Sequence, residues 1–353
     1  MDYDIVANQL FRQIFRSSNF LEKFNLRQHH HNIGDSVKSP KILAIESLYK
    51  NKVLILEETL TRFVNKTSIF PKIGLELEFY LTNQDYSVID IENPIIYEFI
   101  AELVKLAKNC DLIYKIEKEQ GVGQIEIKTT YTSDLLKTCN QISEIKKIAQ
   151  KLALKKKLVV SFDSQPFIDD CGSALQFNIS LHNEKDENLF LQQNELLNSI
   201  IAVLLYFTEQ TFLIFSPDSK DYLRFDEKIN QNLYKKGKYP APINLSFGVE
   251  NRTCAIRIPL QKNDNLEIVK EKDCATHKKR VEYRIAAANS DPYLAISTIL
   301  IMLLKGIKQK LSPKDLGFEQ IYGNAFDKQY NIKSFPKSYE EAFDKFNYNF
   351  FDL

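Results

Sequence analysis

The sequence has no excess of charge of either sign. In 353 residues, 47 Lys and Arg stand against 46 Asp and Glu, which excludes the basic footprint of a nucleic-acid binder. No uninterrupted apolar run reaches the roughly 18 residues that cross a bilayer. The best stretches are 199–215, broken by Glu209 and Gln210, and the shorter 293–304. Met1-Asp2-Tyr3-Asp4 is acidic and has no apolar core behind it, so no signal peptide is expected. Cysteine is sparse: Cys110, Cys139, Cys171, Cys254 and Cys274 are odd in number, scattered and never in a CxxC pair. That fits free thiols in a reducing compartment. Neither an internal repeat nor a low-complexity tract is present. These absences lead to the expectation of a soluble, cytoplasmic protein with neither a nucleic-acid nor a membrane partner.

What is present is an ordinary globular composition, 44% hydrophobic and 26% charged, long enough for about two domains or one large unit. Helical spacing covers 1–27 and 41–65, separated by a polar break that contains His29-His30-His31 and reads as a loop rather than a metal site. After Pro71 the pattern becomes a strand at 73–81, then an amphipathic helix at 94–109. Strands follow at 112–116 and 123–131, then a Lys-rich helix at 133–157 whose end, Lys155-Lys156-Lys157, is expected to be solvated. Further strands fall at 158–162 and 175–181, and a buried helix at 194–215. A long loop with Gly237, Pro240 and Pro242 leads to strands at 244–248, 254–259 and 280–286 and a helix at 292–310. Irregular mixing of helices and strands predicts an α+β fold with a largely antiparallel sheet flanked by helices. The change of pattern predicts a mainly helical region over 1–69 and a second domain over 70–353.

Four segments place charge where burial is expected. Glu76-Leu77-Glu78 lies inside an apolar strand, and residues i and i+2 of a strand share a face. Glu119-Gln120-Gly121-Val122-Gly123-Gln124-Ile125-Glu126 turns tightly between carboxylates. Glu282-Tyr283-Arg284 follows a basic run. Asn251–Pro259 carries Arg252 and Arg257 into a short apolar strand, costly unless they meet anions. Alone, each has an ordinary structural reading: a solvated strand face, a surface hairpin, an exposed ion pair, an inter-strand salt bridge.

Taken in order, the segments resemble the catalytic domain of the glutamine synthetase family over about residues 70–350. Gly74-Leu75-Glu76-Leu77-Glu78-Phe79 resembles its first metal strand. Residues 119–126 resemble its ExGPGQxE segment, with Val122 in the place of proline. Gly172-Ser173-Ala174-Leu175-Gln176-Phe177-Asn178-Ile179-Ser180-Leu181 is similar to GSGMHxHxSL. The NRxAxIRIP segment at 251–259, the ExR pair with Asn289-Ser290-Asp291-Pro292-Tyr293-Leu294-Ala295, and an LPxSLxEAL-like stretch at 335–342 complete the set.

The resemblance implies an ATP-dependent ligase that joins the side-chain carboxylate of glutamate to ammonia or another amine through a γ-glutamyl phosphate. It implies one Mg²⁺ or Mn²⁺ held by Glu78, Glu119 and Glu126, and a second held with help from Glu76 and Glu282. Arg252, Arg257 and Arg284 would address phosphate and substrate carboxylate, Arg224 and Gly172 would bind glutamate, and Asn178, Ser180 and Arg280 would lie on the nucleotide side. The chemistry is consistent: two carboxylates about 5 Å apart repel by roughly 3 kcal/mol at an effective dielectric near 20. All-oxygen ligation suits hard cations. Family members assemble into rings, so a homo-oligomer is the assembly to test.

Three departures qualify the match. Gln176 and Asn178 replace histidines, the first of them a metal ligand. Pro240 stands where ammonia-using members carry a flap glutamate, which favours a larger amine. The family's β-rich N-terminal domain, with its aspartate, is not recognisable; Asp2 and Asp35 are weak substitutes. The competing expectation is a non-catalytic homologue that binds nucleotide or a partner protein.

Overall fold

Alternation along the strands decides the architecture. The computed structural model describes residues 39–89, 93–259 and 279–351. The expected helix at 1–27, His29-His30-His31, Asp2, Asp35 and Cys274 lie outside them. On β1 (Phe70–Asn83), Ile73, Leu75, Leu77, Phe79 and Leu81 are fully buried in the hydrophobic core, while Glu76 and Glu78 point to the opposite face. The same parity holds on β3 (Gln124–Thr129), where Ile125 and Ile127 face the core and Glu126 does not. On β5 (Leu175–His182), Leu175, Phe177, Ile179 and Leu181 alternate with Gln176, Asn178 and Ser180. One face of the sheet is therefore apolar and covered by helices; the other carries the chemistry.

The remaining strands are β2 (Ile113–Lys118), β4 (Leu158–Ser161), β6 (Phe247–Val249), β7 (Ile256–Ile258) and β8 (Val281–Tyr283). Among the described residues they form one eight-stranded sheet in the order β2-β3-β1-β5-β8-β7-β6, with β4 also paired to β1. The pairings are antiparallel except β6 with β7. This is the α+β, mostly antiparallel fold that the pattern predicts.

Among the described residues the helices are α1 (Pro40–Lys50), α2 (Lys52–Thr67), α3 (Ile95–Leu106), α4 (Leu135–Lys155), α5 (Asn194–Phe215), α6 (Glu227–Lys235), α7 (Pro292–Gln309) and α8 (Tyr339–Lys345). The single helix expected over 41–65 is two. Asn51 ends α1, its backbone N–H and its side-chain amide both donating to Ser47 O at 3.0 and 2.8 Å, a local bond that competes with helix continuation. Leu56 and Phe63 of α2 nonetheless join the same core as the sheet. The expected loop before Gly237 holds a 3₁₀ turn at Ser219–Phe225 and then α6. Its start signals are an Asp218/Asp221 capping box and Asp226 accepting from Ile229 N.

α5 is long and apolar enough to cross a membrane by length and composition, yet 78% of its most apolar window is buried in the protein. A helix apolar all round is one packed all round. Glu209, which interrupts the run, pairs with Lys333 and Lys345. α7 starts where Asp291 accepts from Tyr293 N and Leu294 N with Pro292 in the first turn.

Candidate active site

Strand register assembles the polar face. β1 against β3 sets Glu78 opposite Glu126 and Glu76 opposite Lys128. β1 against β5 sets Glu76 opposite Gln176. β8 sets Glu282 opposite Asn178 on one side and Arg257 on the other. Directly opposed residues share a face with their side chains in reach, so five strands, four of them carrying charge, deliver polar side chains to one place.

The turn before β3 adds Glu119. Glu119 N donates to Gln124 O at 2.9 Å and Gln124 N to Gly121 O at 3.1 Å. Gly123 closes this turn at φ +80°, where a Cβ would stand 2.7 Å from Leu81 O, so only glycine fits. Gln124 Nε2 then donates to Gly172 O at 3.0 Å, tying the turn to the loop before β5.

Hydrogen bonds fix most of these groups. Glu78 accepts from Gln176 Nε2 at 2.7 Å and from Ala174 N at 2.9 Å. Gln176 Oε1 in turn accepts from Arg284 Nη1 at 3.1 Å, so the carbonyl expected to ligate a metal faces a guanidinium instead. Glu282 receives Arg257 and Arg284, one on each oxygen. Asn178 bridges Arg280 Nε at 2.8 Å and Glu76 Oε1 at 3.1 Å. Arg224, buried on the 3₁₀ turn, donates to Ile285 O and Arg284 O. Arg252 lays its guanidinium over the Tyr239 ring, 4.3 Å from the centroid.

These residues surround a cavity of about 660 Å³, within the range of small-molecule sites. Glu76, Glu78, Glu119, Glu126 and Glu282 line it together with Arg224, Arg252, Arg257, Arg280 and Arg284, and Gly172, Gln176 and Pro240 are also in its wall. Asn178 and Ser180 are not. Asn178 is tied behind the wall, and Ser180 is buried further along β5 with its Oγ 3.1 Å from His182 Nε2. Lys118, Gln120, Lys128 and Tyr239 line the cavity without having been singled out in the sequence. For Lys128 the signal was available: it lies at i+2 from Glu126 on the same strand.

The electrostatics are those of a site short of cations at one pole and of anions at the other. Burial pushes Glu78 up to about 7 and Glu119 adds to it, against the pull of Arg224 and Arg284. Burial, then Glu76 and Glu78, drives Glu126 well above the carboxylate range. Burial would also raise Glu282, but Arg284 and Arg257 outweigh it and hold it below its ordinary value. At the basic pole, the Nε atoms of Arg224, Arg257 and Arg284 are buried with no hydrogen-bond partner. Each such buried donor carries an unmet desolvation cost.

Among the described residues, no three Asp, Glu, His or Cys side chains converge closely enough to hold a metal as they stand. The donor chemistry nevertheless suits a hard divalent cation: Glu78 and Glu126 are opposed, buried and mutually repelling, and their oxygens are the ligands Mg²⁺ and Mn²⁺ prefer.

Comparison with known proteins places this arrangement. The family described as glutamine synthetase, catalytic domain, matches residues 88–351. Gamma-glutamylputrescine synthetase PuuA of Escherichia coli K12 is 24% identical over 293 residues, covering 75% of this chain and 56% of its own. The glutamine synthetase of Sulfolobus acidocaldarius is 29% identical over 234 residues, covering 64% and 45%. The chain thus spans about half the length of these relatives. Among solved structures, GmaS in an ADP complex superposes with a TM-score of 0.67 at 19% identity, over 83% of this chain and 67% of that one. Apo GmaS gives 0.66 at 20%, over 83% and 66%. At such identity the likeness concerns the fold.

Proposed function

Because the chain belongs to the family of the glutamine synthetase catalytic domain, we propose that it is a ligase that uses ATP to join the side-chain carboxylate of L-glutamate to an amine larger than ammonia. The observation that carries this reading is the cavity in which five glutamates and five arginines meet, with buried guanidinium donors still unpartnered. An acidic pole and an anion-accepting pole in one cleft is what a reaction between a nucleotide phosphate and a carboxylate requires.

In the proposed sequence the glutamate carboxylate oxygen attacks the terminal phosphorus of ATP and ADP departs. The amine nitrogen then attacks the acyl phosphate carbon, inorganic phosphate leaves, and the nitrogen gives up a proton. Arg224 anchors the substrate carboxylate beside Gly172, where close backbone approach is possible because no side chain intervenes. Arg252, Arg257 and Arg284 neutralise the group in transfer, and Arg280, held by Asn178, extends the positive wall to the nucleotide side with Ser180 beyond it. Glu78, Glu119 and Glu126 would hold one Mg²⁺ or Mn²⁺, with Glu76 and Glu282 toward a second that Gln176 could join only by turning its carbonyl away from Arg284, and such ions would neutralise the phosphates of the nucleotide.

The choice of amine rests on the segment Gly237-Lys238-Tyr239-Pro240-Ala241, whose Tyr239, Pro240 and Ala241 line the cavity. It carries no carboxylate to take a proton from an ammonium ion, and Gln120 Oε1 accepts from Tyr239 N to hold it in place. The name of the PuuA relative, a synthetase of gamma-glutamylputrescine, shows that a family member joins glutamate to an alkylamine.

The test is hydroxamate formation with ATP, L-glutamate, hydroxylamine and Mg²⁺ or Mn²⁺. Hydroxylamine intercepts an activated side-chain carboxylate whatever the natural amine. Hydroxamate formed by the protein and lost in Glu126→Gln supports the reading. No hydroxamate with either metal, while ATP binds, leaves a nucleotide-binding homologue.

A further inference from the structure

One cation already sits among the carboxylates. Lys128 Nζ lies 2.9 Å from Glu126 Oε2 and 3.0 Å from Glu117 Oε1. It stands opposite Glu76 across β1 and β3 and lines the cavity. Glu117, which register places opposite Glu126 on β2, also receives Lys115 at 2.7 Å. The two carboxylates that Lys128 touches differ in setting: the Glu126 side chain is 5% exposed and faces the cavity, whereas the Glu117 side chain is 30% exposed at the edge.

We propose that Lys128 is a resident counter-ion that a divalent metal displaces from Glu126, the ammonium retreating to Glu117 as the metal arrives. The inference rests on the reading of Glu78, Glu119 and Glu126 as metal ligands. An oxygen-bound Mg²⁺ lies about 2.1 Å from its ligand atoms. A metal on the Glu126 carboxylate and an ammonium in hydrogen-bond contact with the same oxygen would be like charges a few ångströms apart, so one must leave. Lys128 has a place to go, because it already touches Glu117. In the absence of metal the ammonium stands against the Glu126 carboxyl, so the acidic pole already holds one cation that an arriving metal must displace. The coupling sets how tightly metal binds: its affinity is reduced by the contact it must break.

The experiment is Mn²⁺ binding to the full chain, read from the electron paramagnetic resonance of free Mn²⁺ without nucleotide, for the wild type, Lys128→Met and Glu117→Gln. Removing the competing charge is expected to tighten Mn²⁺ binding about tenfold, a modest share of the Coulomb interaction between close charges in a partly buried site. Removing the outer seat confines the ammonium to Glu126 and is expected to weaken binding. Circular dichroism checks folding, and Lys128→Gln serves if the methionine variant fails to fold. Wild-type binding with Lys128→Met unchanged or weaker overturns this inference and leaves the metal reading intact. No Mn²⁺ binding in any of the proteins overturns the metal reading and this inference with it. Binding by Lys128→Met alone supports both.

Discussion

Glu78 and Glu126 stand directly opposite each other on β1 and β3 with 8% and 4% of their surfaces exposed. Two carboxylates in that position cost the protein stability, since each is desolvated and Glu78 further raises the proton affinity of Glu126. Their retention at the floor of the cavity sets binding against folding.

Glu126→Gln separates the two. In metal-free protein at pH 8 the substitution removes a buried carboxyl that folding drives well above its ordinary range, while Lys128 keeps Glu117 as a partner. The variant is expected to be more stable by about 2 kcal/mol in urea unfolding, in the manner of buried charges replaced by neutral groups, and to lose hydroxamate synthesis. A variant less stable than the wild type would mean that Lys128 and the carboxylate pair stabilise the fold.

A pH effect is expected away from the site. Lys146 on α4 is half-buried, donates to Ala288 O at 2.6 Å and lies over the Phe162 ring. Burial lowers it to about 8, with Asp291 opposing. Because the folded value lies below the unfolded one, the cost of charging this lysine is fully present below pH 8. It is relieved as pH rises towards the unfolded value near 10.4. The stability of Lys146→Met relative to the wild type should therefore fall by about 2 to 3 kcal/mol between pH 7 and pH 10. Urea midpoints of both proteins across that range check it, and a flat difference would refute it.

Much of this arrangement could be read before any coordinates. The i, i+2 spacing of Glu76 and Glu78, and the alternation around Glu126 and Gln176, define one polar face because a strand has a period of two. Less local features were out of reach. Arg224 sits on a 3₁₀ turn set by two aspartates, and nothing in its immediate sequence marks it as buried. The helix break at Asn51 depends on one side-chain amide reaching Ser47 O. The i+2 spacing puts Lys128 on the face of Glu126, but only register brings Glu76 and Glu117 to it as well. Ser180 belongs to the right strand and face, yet is too far along it to reach the cavity wall.

Gly172 positions Arg224. A Cβ there would stand 2.8 Å from Ser164 O and from Gln165 Oε1, and 3.0 Å from Arg224 Cγ. Relief requires the Ser164 backbone and Gln165 to shift, and the added methyl also presses on Arg224, which is held by its bonds to Ile285 O and Arg284 O. Gly172→Ala is expected to cost about 1 to 3 kcal/mol of stability and to raise the KM for glutamate at least tenfold while the affinity for ADP stays the same. Equal losses for both ligands would indicate general collapse of the site.

The last prediction concerns the acceptor. Pro240 is buried in the cavity wall on a segment held by Gln120 at Tyr239 and by Asn230 Oδ1, which accepts from Ala241 N at 2.7 Å. Those two anchors flank position 240 and do not involve its side chain, so a glutamate there can present its carboxylate to the cavity without releasing the segment. A carboxylate in that place would attract an ammonium ion and take its proton, whereas an alkylamine would lose the apolar contact of the proline ring. Pro240→Glu is therefore expected to raise kcat/KM for ammonium relative to an alkylamine such as methylamine by at least about tenfold, the usual scale for a positioned general base being larger still. Steady-state assays of ADP release with each amine check it. An unchanged ratio in a folded variant would show that the amine enters by another side of the cavity, and would direct attention to Lys118 and Glu119 instead.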